Sequence, residues 1–184
     1  PLRARDEADW YEIRARNASW TRPWDATRPD ESTEAGLTFR QLVRQFNADA
    51  RAGRALPWAI TYTEDGETRL VGQLTISGIT YGSARWGMAG YWVDREVAGR
   101  GVVPTALAMG ADYAFTVLKL HRIEVAIRPE NVNSLRVVAK LGFRPEGMRP
   151  SYMHVNGDWR DHLMFALHAE ERGPDGLVGR LPRQ

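Results

Sequence analysis

The chain has 184 residues, a formal net charge of +2 and no cysteine, which excludes disulfides, thiolate metal centres and a cysteine nucleophile and agrees with a reducing, cytoplasmic setting. Its length suits a single domain with a real core, and no apolar run reaches the roughly 18 residues needed to cross a bilayer. Of the 25 basic residues only Lys119 and Lys140 are lysines, and the arginines are spread along the chain, so no nucleic-acid surface is evident.

The chain opens on Pro1, not Met, and Leu2-Arg3 reads as the tail of a strand, which implies that residues precede it. Residues 6–17 read as a first helix, acidic in its first turn, with an uneven apolar face of Ala8, Tyr11, Ile13 and Ala15. Residues 20–31 read as a loop with prolines at Pro23 and Pro29. A second helix is expected from Ser32, with Glu34 near its start and Leu37, Leu42, Val43 and Phe46 at helical spacing, until Gly53 stops it. Strands follow at 57–63, 70–79 and 85–93, with a hairpin turn at 64–67 and a loop at 81–83.

Between 103 and 118, Leu107, Ala111, Ala114, Phe115 and Leu118 recur at helical spacing, and Pro104 sits in the first turn, where its missing N–H costs little. Residues 122–128 alternate as a half-buried strand. Asn131 or Asn133 can cap the next helix, which is expected to bury Leu135, Val138 and Leu141. Residues 149–155 and 159–168 form a hairpin across Asn156-Gly157, and 173–184 read as a surface extension. The sum is an α/β fold around a mixed, mostly antiparallel sheet.

The stretch from Asp94 to Leu107 carries the most chemistry. Gly99 and Gly101 let the backbone approach a ligand with N–H groups outward, at the positive end of the following helix. That is a main-chain anion site suited to a pyrophosphate. After the next strand comes Asn131-Val132-Asn133-Ser134, a short helix and Gly142-Phe143. This order of strand, glycine loop, helix, strand, Asn-x-x-Ser, helix and Gly-Phe resembles the GNAT N-acetyltransferase superfamily over residues 58–167. The segment Arg16-Asn17-Ala18-Ser19-Trp20-Thr21-Arg22-Pro23-Trp24-Asp25 is similar to its RimJ/RimL branch, whose members acetylate the N-terminal amine of ribosomal proteins. Residues 142–147, Tyr152 and 156–162 resemble the RimJ side of that branch. One departure is Ala98, where the family often has Arg, Gln or Trp; with backbone donors holding the pyrophosphate, this tunes affinity.

The resemblance implies acetyl-CoA as cosubstrate and no metal. The pyrophosphate falls to Ala98, Gly99, Arg100, Gly101, Val102 and Val103, with Arg100 either adding charge or staying a solvated arginine. Main-chain groups of Tyr91, Trp92 and Val93 are expected at the thioester, where a bulge splays this strand from the one at 122–128 and the pantetheine lies in the gap. Asn131 is expected to contact the pantetheine amides, to cap its helix, or both. Ser134 is expected to donate to the sulfur, replacing a tyrosine that other members carry one turn later, here Val138; otherwise it is a first-turn helix serine.

The base is open. An N-terminal amine has a pKa near 8, so a weak base or a water chain suffices. Asp25, Asp30 and Glu31 are candidates for drawing the ammonium and taking its proton, each equally readable as a surface carboxylate. Trp20 and Trp24 either wall a peptide groove or pack in the core, and Tyr152 is a further candidate lining residue. His121, His154, His162 and His168 show neither metal spacing nor a GxSxG partner, and Asp161-His162 fits a structural role. The expected acceptor is the N-terminus of a protein, a ribosomal one on the resemblance; a small amine such as an aminoglycoside or polyamine, or a non-catalytic acetyl-CoA-binding regulator, are the alternatives. No membrane partner is expected, and the chain reads as a monomer or weak dimer.

Overall fold

A computed structural model describes residues 1–29 and 37–181. Six strands form one sheet in the order β1-β2-β3-β4-β6-β5. They are β1 (Leu56–Glu64), β2 (Glu67–Thr80), β3 (Trp86–Val93), β4 (Arg122–Ile127), β5 (Arg144–Val155) and β6 (Asp158–His168). Every pairing is antiparallel except β3 with β4. The two hairpins turn on Asp65-Gly66 and Asn156-Gly157, all four residues at positive φ as a type I′ turn demands.

One face of the sheet carries α4 (Val102–Thr116) and α5 (Val132–Leu141). Leu107, Ala111, Ala114 and Phe115 of α4 and Val138 and Leu141 of α5 are buried there against Val71, Leu74, Ile76, Ile123, Val125 and Ile127. The other face is covered at the β1–β3 end by α1 (Glu7–Arg16) and α3 (Phe39–Arg51), which enclose Leu2, Ile13, Phe39, Val43 and Leu70. A one-turn α2 (Ala18–Thr21) and a 3-10 turn at Arg22–Trp24 lead from α1 toward the hairpin β5–β6, where Ala26 bridges Val155. None of the described helices is long and apolar enough to cross a membrane.

Four sequence expectations change. The second helix starts at Phe39, with Leu37 and Thr38 outside it; Ser32 and Glu34 fall outside the described residues. Its start is set by Thr38 and Gln41, whose side chains close a capping box around Phe39. Leu2-Arg3 is no strand: Leu2 is buried in the second core and Arg3 precedes a 3-10 turn. The described part of the 20–31 stretch contains helical turns up to Trp24 rather than plain loop, and 30–31 lie outside the described residues. Finally, the C-terminal stretch docks. Leu177 is fully buried, which stabilises the fold by about 1.5–3 kcal/mol, and its N–H donates to both carboxylate oxygens of Asp112 on α4, at 3.1 and 2.9 Å. Arg180 donates to the carbonyl of Leu141 at the end of α5.

Candidate active site

β3 and β4 pair in parallel over three residues only, Trp86, Gly87 and Met88 opposite Arg122, Ile123 and Glu124. Beyond Met88 the strands part, and a cleft of about 730 Å³ opens in the wedge. No bulge lies at 91–93 itself: β3 runs in unbroken register with β2 from Met88 to Val93, and the irregularities of β2 fall at Ile60/Thr61 of its β1 partner and at Ser77/Thr80. The gap arises because β4 pairs onward with β6 while β3 continues with β2.

On the helix side, the wedge meets the glycine loop. Asp94 starts it, its buried carboxylate accepting from the N–H of Glu96 at 3.2 Å. A 3-10 turn at Arg95–Val97 follows, and Gly99 and Gly101 adopt φ of +83° and +80°. Gly101 is the N-cap of α4. The first-turn N–H groups of Val102 and Val103 have no helix carbonyl to reach and so face the loop's concavity. Ala98, Gly99, Gly101, Val102 and Val103 all line the cleft. Arg100 is turned away from it; its guanidinium donates to Glu64 at 2.6 Å.

From the opposite wall, α5 presents Asn131 and Ser134. Asn131 caps α5, its Oδ1 accepting from the Ser134 N–H at 3.1 Å, so its side-chain NH2 is left for a ligand. Tyr91, Trp92 and Val93 line the gap on β3. Burial pushes the Tyr91 phenol up to about 12, with Ser134 pulling weakly the other way. Further out, Arg136 and Lys140 of α5 reach the same cleft.

The cleft continues through the wedge to the opposite face of the sheet. Gln73, Thr75 and Ser77 of β2 and Gly90 of β3 form its floor there, with Trp24, Asp25 and Ala26 beside them. The Gln73 amide donates to Thr75 at 3.1 Å. A Cβ placed on Gly90 would meet no atom within 4 Å. Asp25 is not a free carboxylate: Arg14 holds one oxygen at 2.6 Å. Trp20 and Trp24 are not core residues; Trp20 lines the cleft and anchors its Nε1 on the Val93 carbonyl, while Trp24 is exposed beneath Arg128. Asp30 and Glu31 lie outside the described residues.

The Arg16-Asn17 pair of the N-terminal motif does not face the cleft. Asn17 is buried, donating to Asp94 at 3.0 Å and accepting from the Arg95 N–H at 2.9 Å, while Arg16 pairs with Asp94. Burial raises the Asp94 pKa, but Arg16, Asn17 and the Glu96 N–H outweigh it and hold the carboxyl below its ordinary value. Tyr152 stays off the cleft, packed on His162 under Arg149. None of the four histidines lines the cleft, and no metal-binding cluster exists among the described residues.

Gln73, Thr75, Ser77, Gly90, Arg136 and Lys140 were not expected. A signal existed for the first three: polar residues at every second position of a strand whose other face is apolar, in the middle of a sheet.

Residues 1–144 match the model of the acetyltransferase (GNAT) domain. The chain belongs to this family, and it is an acyltransferase that uses acetyl-CoA. Within the family it is RimJ-like. RimJ of Mycobacterium smegmatis, solved in complex with CoA-disulfide, superimposes with a TM-score of 0.87 at 41% identity, covering 98% of this chain and 85% of that one. A probable N-acetyltransferase, YjcK of Bacillus subtilis, is 38% identical over 168 residues, 91% of each chain. The [ribosomal protein uS5]-alanine N-acetyltransferase of Escherichia coli is 29% identical over 173 residues, 94% of this chain and 84% of its own.

Proposed function

We propose that this chain acetylates the N-terminal α-amine of a protein, a ribosomal one beginning with a small residue, by direct transfer within a ternary complex. The observation that carries the reading is a cleft running through the sheet, with a main-chain anion site at one end and an open polar floor at the other. A chain terminus can enter from the Trp24 side and meet the thioester inside the wedge. The RimJ-like relatives support a protein acceptor.

On this reading the N–H groups of Val102 and Val103 hold the pyrophosphate together with the loop 98–101. Arg136 and Lys140 reach the outer phosphate, and Arg100 keeps the loop in place through Glu64. The free edge of β3 at 91–93 and the Asn131 amide hydrogen-bond the pantetheine arm and orient the thioester oxygen. The amine nitrogen bonds to the carbonyl carbon, the C–S bond breaks, and Ser134 donates to the sulfur as it leaves with the electron pair. The nitrogen's proton goes to water, which suits an amine of pKa near 8. Asp25, already paired with Arg14, supplies a negative field for the ammonium, and Glu31, outside the described residues, is a second candidate for that role.

The test is release of coenzyme A thiol with peptides starting in Ala or Ser, beside aminoglycosides and polyamines. Turnover is expected with the peptides, with intersecting initial-rate patterns. Activity on the small amines with none on the peptides would overturn the acceptor.

A further inference from the structure

The Tyr91 hydroxyl is buried and has no hydrogen-bond partner among the described residues. Leaving such a group unpaired in the interior is costly, so its surroundings bear on what it does. The ring packs against the main core on the helix side of β3, which holds the hydroxyl in one place. Ser134 lines the same cleft from α5 and bears on the ionisation of the phenol, without forming a hydrogen bond to it. Ser134 has its N–H occupied by Asn131, so its hydroxyl alone remains to be oriented. Val138, one turn on along α5, is fully buried and offers no hydroxyl.

We infer that Tyr91 is the positioning residue for Ser134: the phenol donates to Ser134 Oγ, and the serine proton is thereby turned toward the coenzyme sulfur. This rests on the serine role proposed above. A hydroxyl that accepts one hydrogen bond becomes a better donor of its own, so the pair acts as a two-hydroxyl relay. The phenol is suited to donate because burial keeps it protonated throughout the working range, its pKa raised to about 12. No proton need leave Tyr91: it lends a hydrogen bond as the C–S electron pair settles on sulfur, and the sulfur takes its proton from Ser134, which is replenished from water.

The experiment is a double-mutant cycle of Tyr91→Phe and Ser134→Ala, using whichever amine turns over in the panel above. Tyr91→Phe is expected to lower kcat about tenfold, leaving both KM values, coenzyme Kd and Tm within about twofold or a degree of wild type. In the Ser134→Ala background the same change is expected to have no further effect. Wild-type kcat in Tyr91→Phe would reduce the phenol to packing and overturn the inference, as would additive losses, which would place it on the sulfur independently. If Ser134→Ala is itself silent, the serine role falls and the relay with it. A loss in Ser134→Ala combined with a silent or additive Tyr91→Phe overturns the relay alone.

Discussion

The two ends of the cleft are built by different means. The end at the glycine loop is made of backbone: two positive-φ glycines, the N–H groups opening α4, and the capped start of α5. The end at the β2 floor is made of side chains brought from distant parts of the chain, Gln73, Thr75 and Ser77 with Trp24 and Asp25. On the proposed reading, backbone at this end would recognise what every family member shares, a phosphate and an amide-bearing arm, with few side-chain identities. On the same reading, the side chains of the other end would select the acceptor. The two ends meet at Asp94, where the loop is tied to Arg16 and Asn17 of the N-terminal helices.

Cutting that tie should have the largest effect. Asp94→Ala leaves Arg16 and Asn17 without their buried partner. Removing one member of a buried pair costs about 3–5 kcal/mol, and with Arg16 a third exposed about 2 is expected. For a chain of this length that is a fall in Tm of roughly 4–8 °C, read by calorimetry. The pH dependence has a definite sign. Because the native Asp94 pKa lies below its ordinary value, its contribution is present above that ordinary value and is lost as pH falls through the lowered one. The variant should lack this part of the acid transition; an unchanged acid profile would mean that Asp94 does not join the two ends.

Next in size, Gly101→Val should separate the two ends. A β-branched residue at φ +80° is strained, and its side chain obstructs phosphate approach. Coenzyme Kd should rise at least about tenfold, or 1.4 kcal/mol, by isothermal titration, with little change in acceptor KM. A wild-type melting shift with acetyl-CoA would show that the loop does not hold the pyrophosphate.

The converse test is Gly90→Val. The new side chain meets no atom of the fold within 4 Å of its Cβ and projects over the acceptor floor. Acceptor KM should rise about fivefold, or 1 kcal/mol, while coenzyme Kd stays constant. An equal rise in coenzyme Kd would erase the distinction between the ends.

The smallest change is expected of Asp25→Asn. With one oxygen on Arg14 and the side chain a third exposed, its field at the ammonium is weak, on the scale of a surface ion pair at 0.2–1 kcal/mol. Acceptor KM should rise about two- to threefold, with coenzyme binding untouched. A loss of kcat of a hundredfold would instead make Asp25 the base.

The same contrast explains what was legible in the sequence. Gly99, Gly101, Asn131 and Ser134 could be placed because each acts through a turn or cap spelled within a few residues, and the helices they open have clear apolar spacing. That β3 and the strand at 122–128 are splayed neighbours was legible only through family likeness, and the cause expected there, a bulge at 91–93, gives way to a parting after Met88. The polar floor was legible only as an alternation, Gln73, Thr75 and Ser77 sharing one face of a strand whose other face is apolar, and nothing near them in sequence shows that this face lines the cleft. The motif Arg16-Asn17 was noticed for its likeness, but its work is long-range: a buried amide reaching Asp94 across 77 residues of chain. The 173–184 stretch reads as surface because nothing near Leu177 in sequence shows that Asp112 accepts from its N–H.

The parting of β3 and β4 also leaves an open strand edge inside the molecule. Alternate N–H and C=O groups of a strand point to opposite neighbours, and beyond Met88 one set on β3 has lost its strand. Exposed edges recruit foreign chains and promote aggregation, yet this one is recessed between a helix start and a neighbouring strand, where a second protein's sheet cannot dock. A slender chain of amides can. On the proposed reading the pantetheine arm would complete the sheet as a borrowed strand, and backbone amides at 91–93 that exchange with deuterium in the free protein should become protected on adding coenzyme.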